Sequence, residues 1–289
     1  MKLLALALLL AAPPTEAEVQ GLYEGAIGNG KAEVRVVALG KSAFKAFVRK
    51  TVDGKVEKCE LAGKIEGDAA SFQGAGLSAS WSAGELKGDG VALKRVQRKP
   101  PSLGKAPPAG AVVLLDGKNW NEIRRGKAED WKPADDGSVQ VTPSGLSSAR
   151  QFEGSFDLHV EFQSPLMPEA RGQGRGNSGC YLPNGDEIQV LDSFGMDTYK
   201  GGGCGGLYGF KDPDAFDVFS LASLPPGEWQ TYDVEYRVAA GKAKLTVLHN
   251  GTRIHDAVEL PKAAKKGGFH FQDHGNPVRY RNIWVVPVP

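Results

Sequence analysis

The stretch "GRGNSGCY" (Gly174–Tyr181) decides the fold. Gly174, Gly176 and Gly179 spell G-x-G-x-x-G, and Asp192 follows at roughly the twenty-residue spacing of a dinucleotide site's ribose acid. Such a fingerprint works only between a strand and a helix, because the pyrophosphate rests on the helix N-terminus. Here "SPLMPEARGQ" (164–173), a loop with two prolines, comes before, and "CYLPNGDEIQVLDS" (180–193), with strand alternation and a turn, comes after. There is no βαβ unit. The glycines read as a loop beside a strand, and the chain reads as all-β with no nicotinamide or flavin cofactor.

The neighbouring segments agree. In "FDLHVEFQ" (156–163), Phe156, Leu158, Val160 and Phe162 alternate with Asp157, His159, Glu161 and Gln163. "TYDVEYRV" (231–238) repeats the pattern with Tyr232, Val234, Tyr236 and Val238. "AKLTVLHNGTRIHDAVEL" (243–260) is two strands joined by Asn250-Gly251, a strong hairpin signal that also accounts for the "NGT" sequon without a modification. "VRYRNIWVVPV" (278–288) reads as a last strand. The architecture expected for 111–289 is an antiparallel jelly-roll β-sandwich.

Upstream, four strand-like runs between 32 and 96 are punctuated by "GNGK", "LGKS", "VDGK", "EGD" and "SAGE", giving a small antiparallel meander or barrel over 18–98. Residues 99–110, rich in proline, read as a stiff, exposed linker. "MKLLALALLLAAPPTEA" (1–17) has one Lys, an apolar run and small residues, the pattern of a cleaved leader, which points to a secreted or periplasmic protein. Its apolar run is short of the ~20 residues a membrane span needs. A formal net charge of +1 gives no field for nucleic acid. Cys59, Cys180 and Cys204 leave a Cys180–Cys204 disulfide or free thiols both open.

Strand parity then isolates polar faces. Glu187 and Gln189 share one face; His270, Gln272 and His274 share another; Arg279 and Arg281 share a third. Together they suggest a hydrogen-bonding groove for a polyhydroxyl ligand. "GGGCGGLYG" (201–209) reads as a mobile loop beside such a cleft, since no Lys-Ser/Thr or helix follows it to hold a phosphate.

Seven segments in order, "LLDGKNW", "GNSGCYL", "DEIQVLDSFG", "CGGLYG", "PPGEWQTYDVEYR", "LTVLHNGTRIHDAVEL" and "FQDHGNPVRYRNIWV", resemble the 3-keto-disaccharide hydrolase family from about Ala111 to the end. Cys180 departs from the aliphatic residue usual there. The resemblance implies a concanavalin A-like jelly roll and cleavage of glycosides whose C3 hydroxyl has become a ketone. The ketone acidifies the C2 proton; a base removes it, the C1–O bond breaks by β-elimination, and water adds. On this chain the resemblance places Glu187 or His274 as base, with the other as acid or orienting partner. Arg279 and Arg281 would hold the enolate or the hydroxyls. Gln189, Gln272, Asn276 and Asn177 would read hydroxyls, with Tyr181 and Tyr208 walling the pocket. A divalent metal on Glu187, Asp192 and His274 is an alternative electrophile. The substrate expected is an oxidised saccharide. The competing reading is a carbohydrate-binding module of the same fold without chemistry.

Overall fold

The computed structural model describes residues 12–124, 133–214, 217–218 and 222–289. The chain divides into two compact units, Met1–Gln97 and Arg98–Pro289. The expected leader lies largely outside the described residues. Its expected boundary after Ala17 falls within a helical turn, α1 (Glu16–Val19), capped by Thr15. Among the described residues no helix is long and apolar enough to cross a membrane.

The first unit is a closed barrel. Strands β1 (Gly21–Ile27), β2 (Gly30–Gly40), β3 (Ala43–Val52), β4 (Lys55–Glu66), β5 (Ala69–Gly74), β6 (Leu77–Ser82), β7 (Glu85–Gly88) and β8 (Val91–Val96) pair each with the next, and β8 returns to β1. Closure leaves no unpaired edge. Phe44, Phe72, Tyr23 and Trp81 are among its buried residues. Trp81 Nε1 donates to the Tyr23 hydroxyl (2.8 Å), which donates to the Val19 carbonyl (2.6 Å), so each buried polar tip has a partner.

The second unit is a sandwich of two antiparallel sheets. One has five strands in the order β10 (Ile123–Arg124), β12 (Leu146–Ser148), β19 (His270–Phe271), β14 (Ser178–Tyr181) and β15 (Glu187–Val190). The other runs β11 (Val139–Gln140), β20 (Arg279–Val288), β13 (Ser155–Gln163), β16 (Gln230–Ala239), β17 (Lys242–His249) and β18 (Thr252–Glu259), with β9 (Val112–Leu115) also on β20. The alternating segments behave as expected. Phe156, Leu158 and Val160 of β13 oppose Tyr236, Val234 and Tyr232 of β16, and all six are buried. Asn250 (φ +51°) and Gly251 (φ +81°) make the tight turn between β17 and β18, and the Asn250 amide donates to the Ala222 carbonyl.

Two expectations need correction. The segment 99–110 is largely exposed, as expected, but it belongs to the second unit and is tied to it as a strap. Ser102 Oγ donates to Asp233 Oδ2 (2.5 Å), Gly104 N–H to Glu161 Oε1 (2.5 Å), and the Lys105 carbonyl accepts from Asn282 (3.0 Å). This explains why His159 and Glu161, outward by parity, are fully buried. The glycine loop 201–209 is pinned rather than mobile. Gly205 N–H donates to the Gln189 carbonyl, Gln189 N–H to the Gly206 carbonyl, and Leu207 bridges Ile188, so the loop extends the sheet beyond β15. Gly201 has φ +69°, and a Cβ there would lie 2.4 Å from the Leu207 carbonyl oxygen. All three cysteines are free, and Cys204 Sγ lies 3.1 Å from the Tyr232 hydroxyl.

Candidate functional site

The five-stranded sheet sorts its residues by parity into an apolar and a polar face. Leu146, Phe271, Cys180 and Ile188 stand opposite one another across four strands and enter the core. One residue along each strand, Ser147, His270, Tyr181 and Glu187 form a second row in the same register. Tyr208 extends it, because its N–H donates to the Glu187 carbonyl (3.1 Å). With strands about 4.8 Å apart, five positions span roughly 19 Å.

Glu187 is the buried acid of this row, 8% exposed. Burial pushes its carboxyl above the usual range; a hydrogen bond from Tyr181 and the charges of His274 and Lys262 pull the other way without cancelling it. Burial also raises the Tyr181 phenol, as does the hydrogen bond it makes to Glu187. Tyr181 is half-buried and therefore accessible. Gln272 Nε2 donates to the Tyr181 hydroxyl oxygen (3.4 Å), leaving the phenol proton for Glu187. Room for the carboxylate comes from Gly179: a Cβ on this residue would sit 2.0 Å from Glu187 Oε1. The last glycine of the GxGxxG pattern thus serves a carboxylate, not a pyrophosphate.

Beside Tyr181, His270 Nδ1 bonds Ser147 Oγ (2.9 Å), and burial lowers the imidazole's pKa, which favours its neutral form. At the other end Tyr208 and Tyr199, half exposed, share a hydrogen bond between their hydroxyls (2.7 Å) with rings edge to face. Burial, the Tyr208 bond and the Glu187 charge raise Tyr199 to about 12.

The structure brings together Glu187, Tyr181, Gln272 and Tyr208, with His274 exposed on the following turn but near enough for its charge to reach Glu187. It does not bring the arginines. Tyr280 points into the core, so Arg279 and Arg281 face the opposite side of the other sheet. Arg279 bonds Ser138 Oγ, and Arg281 Nε donates to Glu161 Oε2 (2.7 Å) while its guanidinium lies 4.0 Å above the Trp229 ring. Gln189 has the expected parity, but it and Asn177 are only 1% and 2% exposed. Their amides donate to Gln173 Oε1 (2.8 and 3.1 Å), anchoring the loop beneath the site rather than lining it. Asn276 Oδ1 accepts from Asn177 N–H (2.7 Å) and fixes the turn. Asp192 is likewise withdrawn: its carboxylate takes Arg175 Nε at 2.7 Å with both side chains buried. Glu187, Asp192 and His274 are therefore not a ligand set, and among the described residues no group of three His, Cys, Asp or Glu is placed to hold a metal. The expected residue set lacked the His270–Ser147 pair, Tyr199 and Gln173. Parity places His270 with Gln272; the other three carry no local signal.

The profile of the 3-keto-alpha-glucoside-1,2-lyase-like domain matches residues 110–286, more than half of the chain. The chain belongs to this family. The chain is also similar to a solved protein from Parabacteroides distasonis, provisionally assigned as a glycosyl hydrolase: 29% identity, TM-score 0.55, covering 63% of this chain and 85% of that one. A curated relative, hydroxyacylglutathione hydrolase of Rhodobacter capsulatus, is 28% identical over 112 residues, which is 38% of this chain and 42% of that protein. The match thus spans about two fifths of that relative, and its activity is not carried over. The family and the solved neighbour support a carbohydrate-active function.

Proposed function

We propose that the lyase-like domain cleaves glycosides oxidised to a ketone at C3, by removal of the C2 proton, β-elimination of the C1 substituent and addition of water. The observation that carries this reading is Glu187. The row holds one carboxyl, and burial moves it toward the pH at which a general base works best. Ordinary glycosidases need two carboxyl groups flanking the bond. A ketone-activated elimination needs one base, a donor at the ketone oxygen and a proton for the leaving group. Glu187 is the base, and His274, on the exposed turn, is the proton donor to the leaving alcohol. The family's description as a 1,2-lyase supports a bond change across C1 and C2. The reading includes a concanavalin A-like jelly roll and export by the apolar leader.

A second reading has support in the exposed Tyr199–Tyr208 pair, which suits the apolar face of a sugar in a binding module without chemistry. One assay separates the two. The protein is incubated with a 3-keto-disaccharide and with its unoxidised parent, and released monosaccharide is followed, with Glu187→Gln and His274→Ala alongside. Release from the keto form alone, lost in Glu187→Gln, is the expected result. Binding without release from either sugar overturns the enzyme reading in favour of the module.

A further inference from the structure

We infer that Tyr181 is the electrophile of the site: its phenol O–H, which faces Glu187 across the β14–β15 ladder, donates to the C3 oxygen of the ketone as Glu187 takes the C2 proton. The inference rests on the proposed function and assigns a role that the displaced arginines cannot fill.

The geometry is that of adjacent strands. Tyr181 and Glu187 are direct partners in the β14–β15 ladder, so their Cβ atoms lie about 5 Å apart on one face. A base and a donor so placed match neighbouring carbons of one ring, C2 to Glu187 and C3 to Tyr181. The other groups facing the pair are otherwise engaged. From β19, His270 is bonded through Nδ1 to Ser147. From the strand's end, Gln272 donates to the phenol oxygen and orients it. Lys262 is exposed and bonds the Gly185 carbonyl. Tyr199 and Tyr208 bond each other. On the turn, Asp273 accepts from the Gly275 N–H, and His274 beside it stays with the leaving group.

The phenol also does something an arginine would not. Burial and Glu187 together raise Tyr181, so it stays a donor while the carboxylate works. Facing Glu187, the phenol pulls the carboxyl's pKa down; once the ketone oxygen takes the phenol, that pull is gone and Glu187 becomes a stronger base. Donation to the developing oxyanion and strengthening of the base are one event.

The bond changes balance. The C2–H pair forms the C2=C3 bond as carbonyl electrons move to O3, and the proton stays on Glu187. Return of the O3 electrons restores C3=O, forms C1=C2 and breaks C1–O; the leaving alcohol takes a proton from His274. Water then gives hydroxide to C1 and its proton to His274, while Glu187 returns its proton to C2. The sum is substrate plus water to keto-sugar plus alcohol.

The test uses the full chain, a 3-keto-disaccharide, and Tyr181→Phe beside wild type. Monosaccharide release, exchange of the C2 hydrogen with deuterated solvent, and thermal unfolding are followed. Removing one donor to a developing oxyanion is expected to lower kcat about 10²–10³-fold with KM little changed. C2 exchange should fall with it, and the acid limb of the kcat/KM profile, which reports the free enzyme, should move to higher pH, because the phenol that pulled Glu187 down is lost. An active Tyr181→Phe variant with wild-type kcat and exchange overturns the inference and leaves the function standing, as does a loss confined to KM. Absence of release by wild type overturns the function and the inference with it. A fall in Tm without the shifted acid limb assigns Tyr181 a packing role and also overturns it.

Discussion

Gly179 makes space for Glu187: a Cβ on residue 179 would lie 2.0 Å from Oε1 and 2.8 Å from the carboxyl carbon. The two stand diagonally across β14 and β15, since Gly179 pairs with Gln189 and Tyr181 with Glu187. Gly179→Ala must therefore push the carboxyl off its position. Misplacement of a reacting group by about 1 Å costs on the order of 10² in rate. We expect kcat to fall by about that factor with secondary structure intact, measured by keto-disaccharide turnover and circular dichroism.

Glu187→Gln should separate activity from stability. Loss of a general base is expected to lower kcat about 10²–10⁴-fold. Burial raises the Glu187 pKa, so the folded chain holds this proton more tightly than the unfolded chain does. Its contribution is thus fully present below the unfolded pKa of about 4.3 and is lost as pH rises through the folded value. Glutamine carries no such loss. The variant should unfold at a higher temperature than wild type at pH 8, and the gap should shrink toward pH 4. Calorimetry across that range checks it, and a constant gap would argue against a raised carboxyl.

Arg281→Met should leave turnover within about twofold, because Arg281 lies on the other sheet, yet destabilise the domain. Arg281 bonds Glu161, whose side chain is 1% exposed. Removing one partner of a buried pair strands the other charge and typically costs about 3–5 kcal/mol; the partial exposure of Arg281 and the remaining bonds from His159, Asn282 and Gly104 put the expectation at or below the lower end of that range. Urea unfolding together with kcat tests this, and a large loss of kcat in folded protein would contradict the placement.

The strap should be held best in mildly acidic solution. Burial pulls His159 down, but Asp233 and Glu161 outweigh it and leave it above its ordinary value. Burial pushes Glu161 up, but bonds from His159, Asn282, Gly104 N–H and Arg281 outweigh it and bring it down to about 2. The raised histidine contributes below about pH 6.5, and this is lost as pH climbs through its folded value; the lowered glutamate contributes above about pH 4.3, and this is lost as pH falls toward 2. Protection of the Gly104 amide, corrected for intrinsic exchange, should peak between those limits. Hydrogen exchange reads it directly.

The periodicity of two carried most of the second unit's fold. Phe156–Gln163 and Tyr232–Val238 alternate because one face of each strand meets the core. The same parity set Glu187 apart from Ile188. It did not show which sheet a strand joins: Arg279 and Arg281 share a face as expected, but β20 pairs with β13, far from β15 in the sandwich, and such pairing depends on contacts more than a hundred residues apart. The strap escaped notice for a related reason. A proline-rich run reads as exposed, and most of this one is, yet it is fixed by side chains of Glu161, Asp233 and Asn282 reaching its backbone and hydroxyl from distant strands. Asp192 was expected as a candidate metal ligand, and nothing near it in sequence marks Arg175, seventeen residues earlier, as its partner.

That last pair gives a prediction of its own. Arg175 and Asp192 are both buried; burial raises the Asp192 carboxyl, while the Arg175 charge, a backbone N–H from Phe194 and the Arg175 bond oppose it. Arg175→Met leaves a carboxylate in the interior and should cost about 3–5 kcal/mol, whereas Arg175→Met with Asp192→Leu removes both charges and should recover much of it. Asp192 also accepts from Phe194 N–H, so the double variant leaves that donor unsatisfied and recovery should stop short of wild type. Denaturant unfolding of the single and double variants measures the difference. Equal losses in both would mean that the Arg175 contacts to the Met167 and Pro168 carbonyls, not its charge pairing, hold the loop in place.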